Sequence, residues 1–185
     1  MKIIGVIGKN GAGKDEVLKY LRDKYGVPFL STGDIVREIA ASEGKEPTRP
    51  NLQAISDRYF NERGEGCFVR MVVDKIRENG WKAAGISGVR SLKDVDILKN
   101  VLGGKFVLIN VYVSDTMARF ERMFKRGEGR DAKVYEDFVK QDKAEEKLFH
   151  IDKAESEADY SLSNDGTLED LHSAIDKLVE EGLLK

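Results

Sequence analysis

The chain opens MKIIGVIGKNGAGKDEVLKYL (1–21), and this stretch decides the fold. KIIGVI (2–7) is apolar beyond its first residue, rich in β-branched side chains and followed by glycine, the pattern of a strand buried on both faces of a parallel sheet. Downstream, Val17, Leu18 and Leu21 recur at the spacing of one helix face. Between strand and helix, Gly8, four residues, Gly13 and Lys14 have the spacing G-x-x-x-x-G-K in the strand, loop, helix context that this motif requires. The glycines let backbone N–H groups across Gly8, Lys9, Asn10, Gly11, Ala12 and Gly13 converge on the phosphates of a nucleotide such as ATP. The helix N-terminus adds partial positive charge, and Lys14 can reach the β- and γ-phosphates. One residue breaks the pattern. The position after the lysine usually carries a hydroxyl that holds magnesium, and here it is Asp15.

Working outward, the sequence predicts a short strand at VPFLS (27–31) and a helix through GDIVREIAASEG. Pro47 and Pro50 break the chain, and two further helices follow, NLQAISDRYFNERG and CFVRMVVDKIRENG, each stopped by glycine. KAAGIS reads as a strand, SLKDVDILKNVLG as a helix and KFVLINVYVS as the strongest strand. Next come a helix at TMARFERMFKRG, a polar break at GEGRDA, a long charged helix over 134–149, a brief strand in ADYSLSN and a closing helix from Thr167. Strands alternating with helices imply an α/β fold with a central parallel sheet of about five strands and helices on both faces.

The length suits one domain over 1–185, with no repeat or low-complexity linker. Thirty-one basic and thirty-three acidic residues leave a net charge of −2, which argues against nucleic-acid or anionic-membrane partners. The single cysteine, Cys67, permits no intrachain disulfide, and the apolar run at the start is far too short to span a membrane. The expectation is a cytoplasmic protein with small-molecule nucleotide partners and an oligomeric state the sequence leaves open.

Five segments beyond the loop resemble the P-loop nucleoside-monophosphate kinases, including adenylate kinase, and the kinase-like relatives of dephospho-coenzyme A kinase. STGDIVRE (31–38) is similar to the adenylate kinase segment S-T-G-D-x-x-R. The resemblance implies acceptor binding by Thr32, Gly33, Asp34 and Arg37, with Arg37 on the acceptor phosphate, inside a helical region of about 32–80. GISGVRSLKDV (85–95) resembles the D-G-x-x-R segment and implies that Arg90 helps hold that phosphate. RFERMFKRGEGR (119–130) falls where the family has its lid, about 119–134. Arg119, Arg122 and Arg126 can share a helix face with Arg130 in the loop beyond, and the last three are the candidate catalytic cations beside Lys14. YEDFVKQDKAEE (135–146) and ADYSLSNDGTLEDL (158–171) resemble the C-terminal part of dephospho-coenzyme A kinases, which makes Asn164, Asp165 and Gly166 candidates for adenine contacts. The fold so implied is the three-layer P-loop kinase fold.

Family members usually carry Ser or Thr after the loop lysine and Asp in the third segment. This chain has Asp15 and Ser87, the two residue types interchanged. Magnesium takes oxygen ligands from one or two carboxylates plus substrate phosphates, so Asp15 and Ser87 together offer the usual inventory if the two strand ends lie side by side. Dephospho-coenzyme A kinases place a carboxylate near the end of the second strand to accept a hydroxyl proton, whereas Ser31, Thr32 and Gly33 stand nearest that place here. The sequence therefore favours transfer of the ATP γ-phosphoryl group to a nucleoside monophosphate. Dephospho-coenzyme A phosphorylation, an NTPase switch and a nucleotide-binding module without catalysis are the alternatives.

Overall fold

The computed structural model describes residues 1–127 and 132–185. Five parallel strands form one sheet in the order β2, β3, β1, β4, β5. They are β1 (Lys2–Ile7), β2 (Phe29–Ser31), β3 (Ala83–Ser87), β4 (Phe106–Tyr112) and β5 (Tyr160–Ser163). The helices between them are α1 (Lys14–Tyr25), α2 (Thr32–Ser42), α3 (Arg49–Arg63), α4 (Cys67–Glu78), α5 (Leu92–Leu102), α6 (Thr116–Arg126), α7 (Tyr135–Phe149), α8 (Ile151–Ser156) and α9 (Leu168–Glu180). β1 sits at the centre, with β3 and β2 to one side and β4 and β5 to the other. The loop leaving its C-terminal end therefore opens where the strand order reverses, the place where open α/β sheets bind ligands.

The pleat divides β1 between two cores. Ile3 and Ile7 pack under α2, α3, α4, α5 and α8, together with Ile86 and Leu108. Ile4 and Val6 face α1 and α9, with Ile109 and Val111. Residues 3 to 7 are all buried, which accounts for the unbroken apolar run.

Local chemistry sets the boundaries. Pro50 occupies the first turn of α3, where its missing N–H costs nothing, so it starts a helix rather than breaking the chain. After α7, His150 takes a left-handed φ of 49° and separates α7 from α8, an element the sequence pattern did not disclose. Six residues are too few to display a periodic face, although Ile151 and Ala154 are buried. Arg130, one of the predicted lid cations, lies outside the described residues.

Candidate functional site

Close packing shapes the phosphate loop. A Cβ on Gly11 (φ 79°) would stand 2.5 Å from the Arg119 carbonyl oxygen, and one on Gly13 (φ 99°) would stand 2.3 Å from Asn164 Nδ2. Only glycine fits either place. Lys14 Nζ donates to the carbonyls of Gly8 (2.8 Å) and Lys9 (3.0 Å), so its ammonium lies within the curl of the loop. Burial, and next the nearby Arg90 charge, lower its pKa to about 8. Asn164, predicted to meet adenine, is buried and donates Nδ2 to the Ala12 carbonyl at 2.8 Å. Its amide nitrogen thus ties the loop to β5. Asn164 and Gly166 also line a cleft of about 250 Å³ with Gly13, Glu16, Arg122 and Leu168.

The interchanged pair meets. Ser87 Oγ, at the end of β3, donates to Asp15 Oδ1, in the first turn of α1, at 2.9 Å. Ser31 and Ser87 are register partners, so the ends of β2, β3 and α1 converge on one edge. Among the described residues no cluster of three or more His, Cys, Asp or Glu could hold a metal alone. Asp15 and Ser87 present adjacent hard oxygen atoms beside the loop, a donor set that fits magnesium only where phosphates and water complete the coordination. There the ion would neutralise charge shared between Asp15 and a triphosphate.

At the neighbouring edge Ser31, not Thr32 or Asp34, caps α2: its Oγ accepts from the Gly33 N–H at 3.0 Å. Thr32 Oγ1 points to the Gly88 carbonyl at 3.4 Å and bridges the ends of β2 and β3. Asp34 is free of capping duty and pairs with Arg37 at 2.5 Å, both side chains about half exposed. Arg90 starts the turn into α5; Asp94 Oδ2 accepts its backbone N–H and leaves the exposed guanidinium near Lys14.

The arginines of α6 do not form one mobile set. Arg119 is 4% exposed, donates to both oxygens of Asp142 on α7 (2.7 and 2.6 Å) and to the Asn10 carbonyl (3.1 Å), and lies over the Phe138 ring. It is a fixed tie between α6, α7 and the phosphate loop. Arg122 Nη2 donates to the Asn164 carbonyl at 2.8 Å, while its Nη1 is buried without a hydrogen-bond partner among the described residues. This guanidinium forms one wall of the 250 Å³ cleft. Arg126 closes α6 in its last turn.

Sequence reasoning missed the carboxylates of α7. Glu145 Oε2 accepts from Asn10 Nδ2 at 2.7 Å, and Glu146 Oε2 pairs with Lys9 Nζ at 2.9 Å. Glu155, on α8, is partly buried; burial raises its carboxyl pKa, and the charges of Lys9 and Lys14 oppose that shift. The spacing of Asp142, Glu145 and Glu146 in QDKAEE puts all three on one helix face, a signal that reads equally well as a solvated surface.

A glycine loop after the central strand, a five-stranded parallel sheet and helices on both faces make this a P-loop kinase fold. A family model described as an AAA domain matches residues 7–139. The chain belongs to the UPF0200 family: it is 36% identical to the UPF0200 protein of Thermococcus onnurineus over 181 residues, 97% of either chain. The UPF0200 protein of Pyrococcus horikoshii is 34% identical over 182 residues, 97% of this chain and 96% of that one. Among solved structures, TT1252 from Thermus thermophilus superposes with a TM-score of 0.64 at 20% identity, covering 98% and 97% of the two chains. Shikimate kinase from Acinetobacter baumannii, solved with shikimate, superposes with a TM-score of 0.61 at 21% identity, covering 100% of this chain and 96% of the other. These two likenesses establish the fold alone.

Proposed function

We propose that the chain is an ATP-dependent phosphotransferase that moves the γ-phosphoryl group to a small acceptor of the nucleotide class. The observation that carries this reading is the Ser87 to Asp15 contact beside a completely formed phosphate loop. It supplies the carboxylate and hydroxyl that a magnesium–triphosphate complex requires. The cleft walled by Arg122, Asn164 and Gly166 is the place for the base of ATP, with the flat guanidinium available for stacking. Thr32, Gly33, Asp34, Arg37 and Arg90 line the acceptor edge, and the two arginines hold an anionic group there. Lys14 stabilises charge on the transferring group, joined by Arg126 from the end of α6, while Arg122 serves the base.

Two acceptor chemistries fit these arginines. A nucleoside monophosphate attacks with an oxygen that is already ionised, so positioning suffices. A nucleotide hydroxyl, the dephospho-coenzyme A class, needs a carboxylate to take its proton, and α7 brings carboxylates to the phosphate loop that the end of β2 lacks. Each nucleoside monophosphate and dephospho-coenzyme A, offered with ATP and magnesium while ADP and phosphorylated acceptor are both followed, separates the two. ADP formed at the same rate without any acceptor would refute the kinase reading.

A further inference from the structure

The phosphate loop carries two ammonium groups, and they are held differently. Lys14 Nζ bonds to the loop's own carbonyls at Gly8 and Lys9 and has no ion pair among the described residues. Lys9 Nζ instead pairs with Glu146 of α7 at 2.9 Å. On the next residue, Asn10 donates Nδ2 to Glu145 at 2.7 Å, so two consecutive loop residues turn their side-chain donors to one helix. A cavity of about 160 Å³ opens beside Lys9, lined also by Ala12, Ser114, Thr116, Arg119 and Glu155.

The two ties between α7 and the loop differ in burial. The Arg119 and Asp142 side chains are 4% and 13% exposed, and their pair fixes the helix. Those of Lys9 and Glu146 are 31% and 40% exposed, and an ion pair so open to water contributes little. Glu146 can therefore release Lys9 and turn to solvent while α7 stays in place. The Lys9 carbonyl lies 3.0 Å from Lys14 Nζ, so both lysines spring from the curl of the loop. The flexible four-carbon stem of Lys9 can carry its ammonium to an anion seated against the loop's N–H groups. A triphosphate brings more negative charge to that place than one carboxylate does.

We infer that Lys9 is a second phosphate-binding cation of the loop, held by Glu146 in the nucleotide-free protein and released to the triphosphate when ATP binds. Glu146 is then an internal competitor for the phosphates, and the freed lysine adds positive charge where the transferring group gathers negative charge. This rests on the phosphotransferase reading and assigns to the same site a residue whose backbone alone entered it before.

The test is a double-mutant cycle on binding. Calorimetry follows magnesium-ATP, and magnesium with inorganic triphosphate, on the parent chain, Lys9→Met, Glu146→Gln and the double variant. Lys9→Met should weaken both ligands by ~10-fold, the scale of one hydrogen bond to a charged group. Glu146→Gln should tighten both by about two- to fivefold, the weight of an exposed ion pair. In the Lys9→Met background the same Glu146→Gln change should have almost no effect, because no lysine remains to be freed. Equal tightening in the two backgrounds would reduce Glu146 to through-space repulsion and overturn the exchange. Unchanged affinity in Lys9→Met, or unchanged or weaker binding in Glu146→Gln, would overturn it as well. A parent chain that binds neither ligand would instead overturn the phosphotransferase reading beneath it.

Discussion

Replacing Arg119 by methionine should destabilise the fold by about 3–5 kcal/mol, because it leaves the Asp142 carboxylate in a site from which water is largely excluded. Arg119 is 4% exposed and the Asp142 side chain 13%. The guanidinium satisfies both carboxylate oxygens and the Asn10 carbonyl, so deletion removes three charge-assisted hydrogen bonds at once. The double variant Arg119→Met, Asp142→Leu should recover much of that loss, since an apolar pair costs no charge burial. Urea unfolding reads both effects as a shift in midpoint at nearly constant slope. A single variant within 1 kcal/mol of the parent chain would show that Asp142 rehydrates freely and that α7 is not fixed to the loop by this pair.

Lys14→Met should lower phosphoryl transfer by ~10²- to 10³-fold, the usual consequence of removing a preorganised positive group from the transferring phosphate. The pH dependence of nucleotide binding makes the same residue visible in a second way. In the free protein, burial and Arg90 hold the Lys14 pKa at about 8. A bound triphosphate favours the ammonium and raises that pKa. Binding should therefore take up a proton between about pH 8 and 9, and affinity should weaken as pH rises through 8. Calorimetry in buffers of different ionisation enthalpy counts that proton, which should disappear in Lys14→Met. Persistence of the same uptake in the variant would place the titrating group elsewhere.

Much of the fold was legible because its deciding signals are local. A both-faces-buried strand, a glycine loop and an amphipathic helix appear in KIIGVIGKNGAGKDEVLKYL without reference to the remaining chain. One helix escaped because its signal is short, α8, and the helix read from Asn51 starts two residues earlier, at Arg49, because Pro50 can open a helix as well as interrupt a chain. The site was legible where a motif fixes backbone geometry and obscure where distant segments meet. Nothing in RFERMFKRG distinguishes Arg119 from Arg122, because their difference lies in Asp142 and Asn164, each more than 20 residues away. The α7 carboxylates were hidden for the same reason: Glu145 and Asn10 are 135 positions apart.

Asp15 and Ser87 could be read from sequence as an exchange of residue types, but their meeting is a property of the fold. The carboxylate that the exchange places beside a triphosphate should repel it unless a divalent cation intervenes. The direct measurement is ATP affinity with and without magnesium, for the parent chain and for Asp15→Asn. The parent chain should lose affinity by roughly 10- to 100-fold when magnesium is withheld, in line with a few kcal/mol of unscreened repulsion. Asp15→Asn should bind metal-free ATP more tightly than the parent does and show a much smaller magnesium effect. Equal magnesium dependence in the two proteins would contradict the claim that Asp15 and Ser87 serve the metal–phosphate complex.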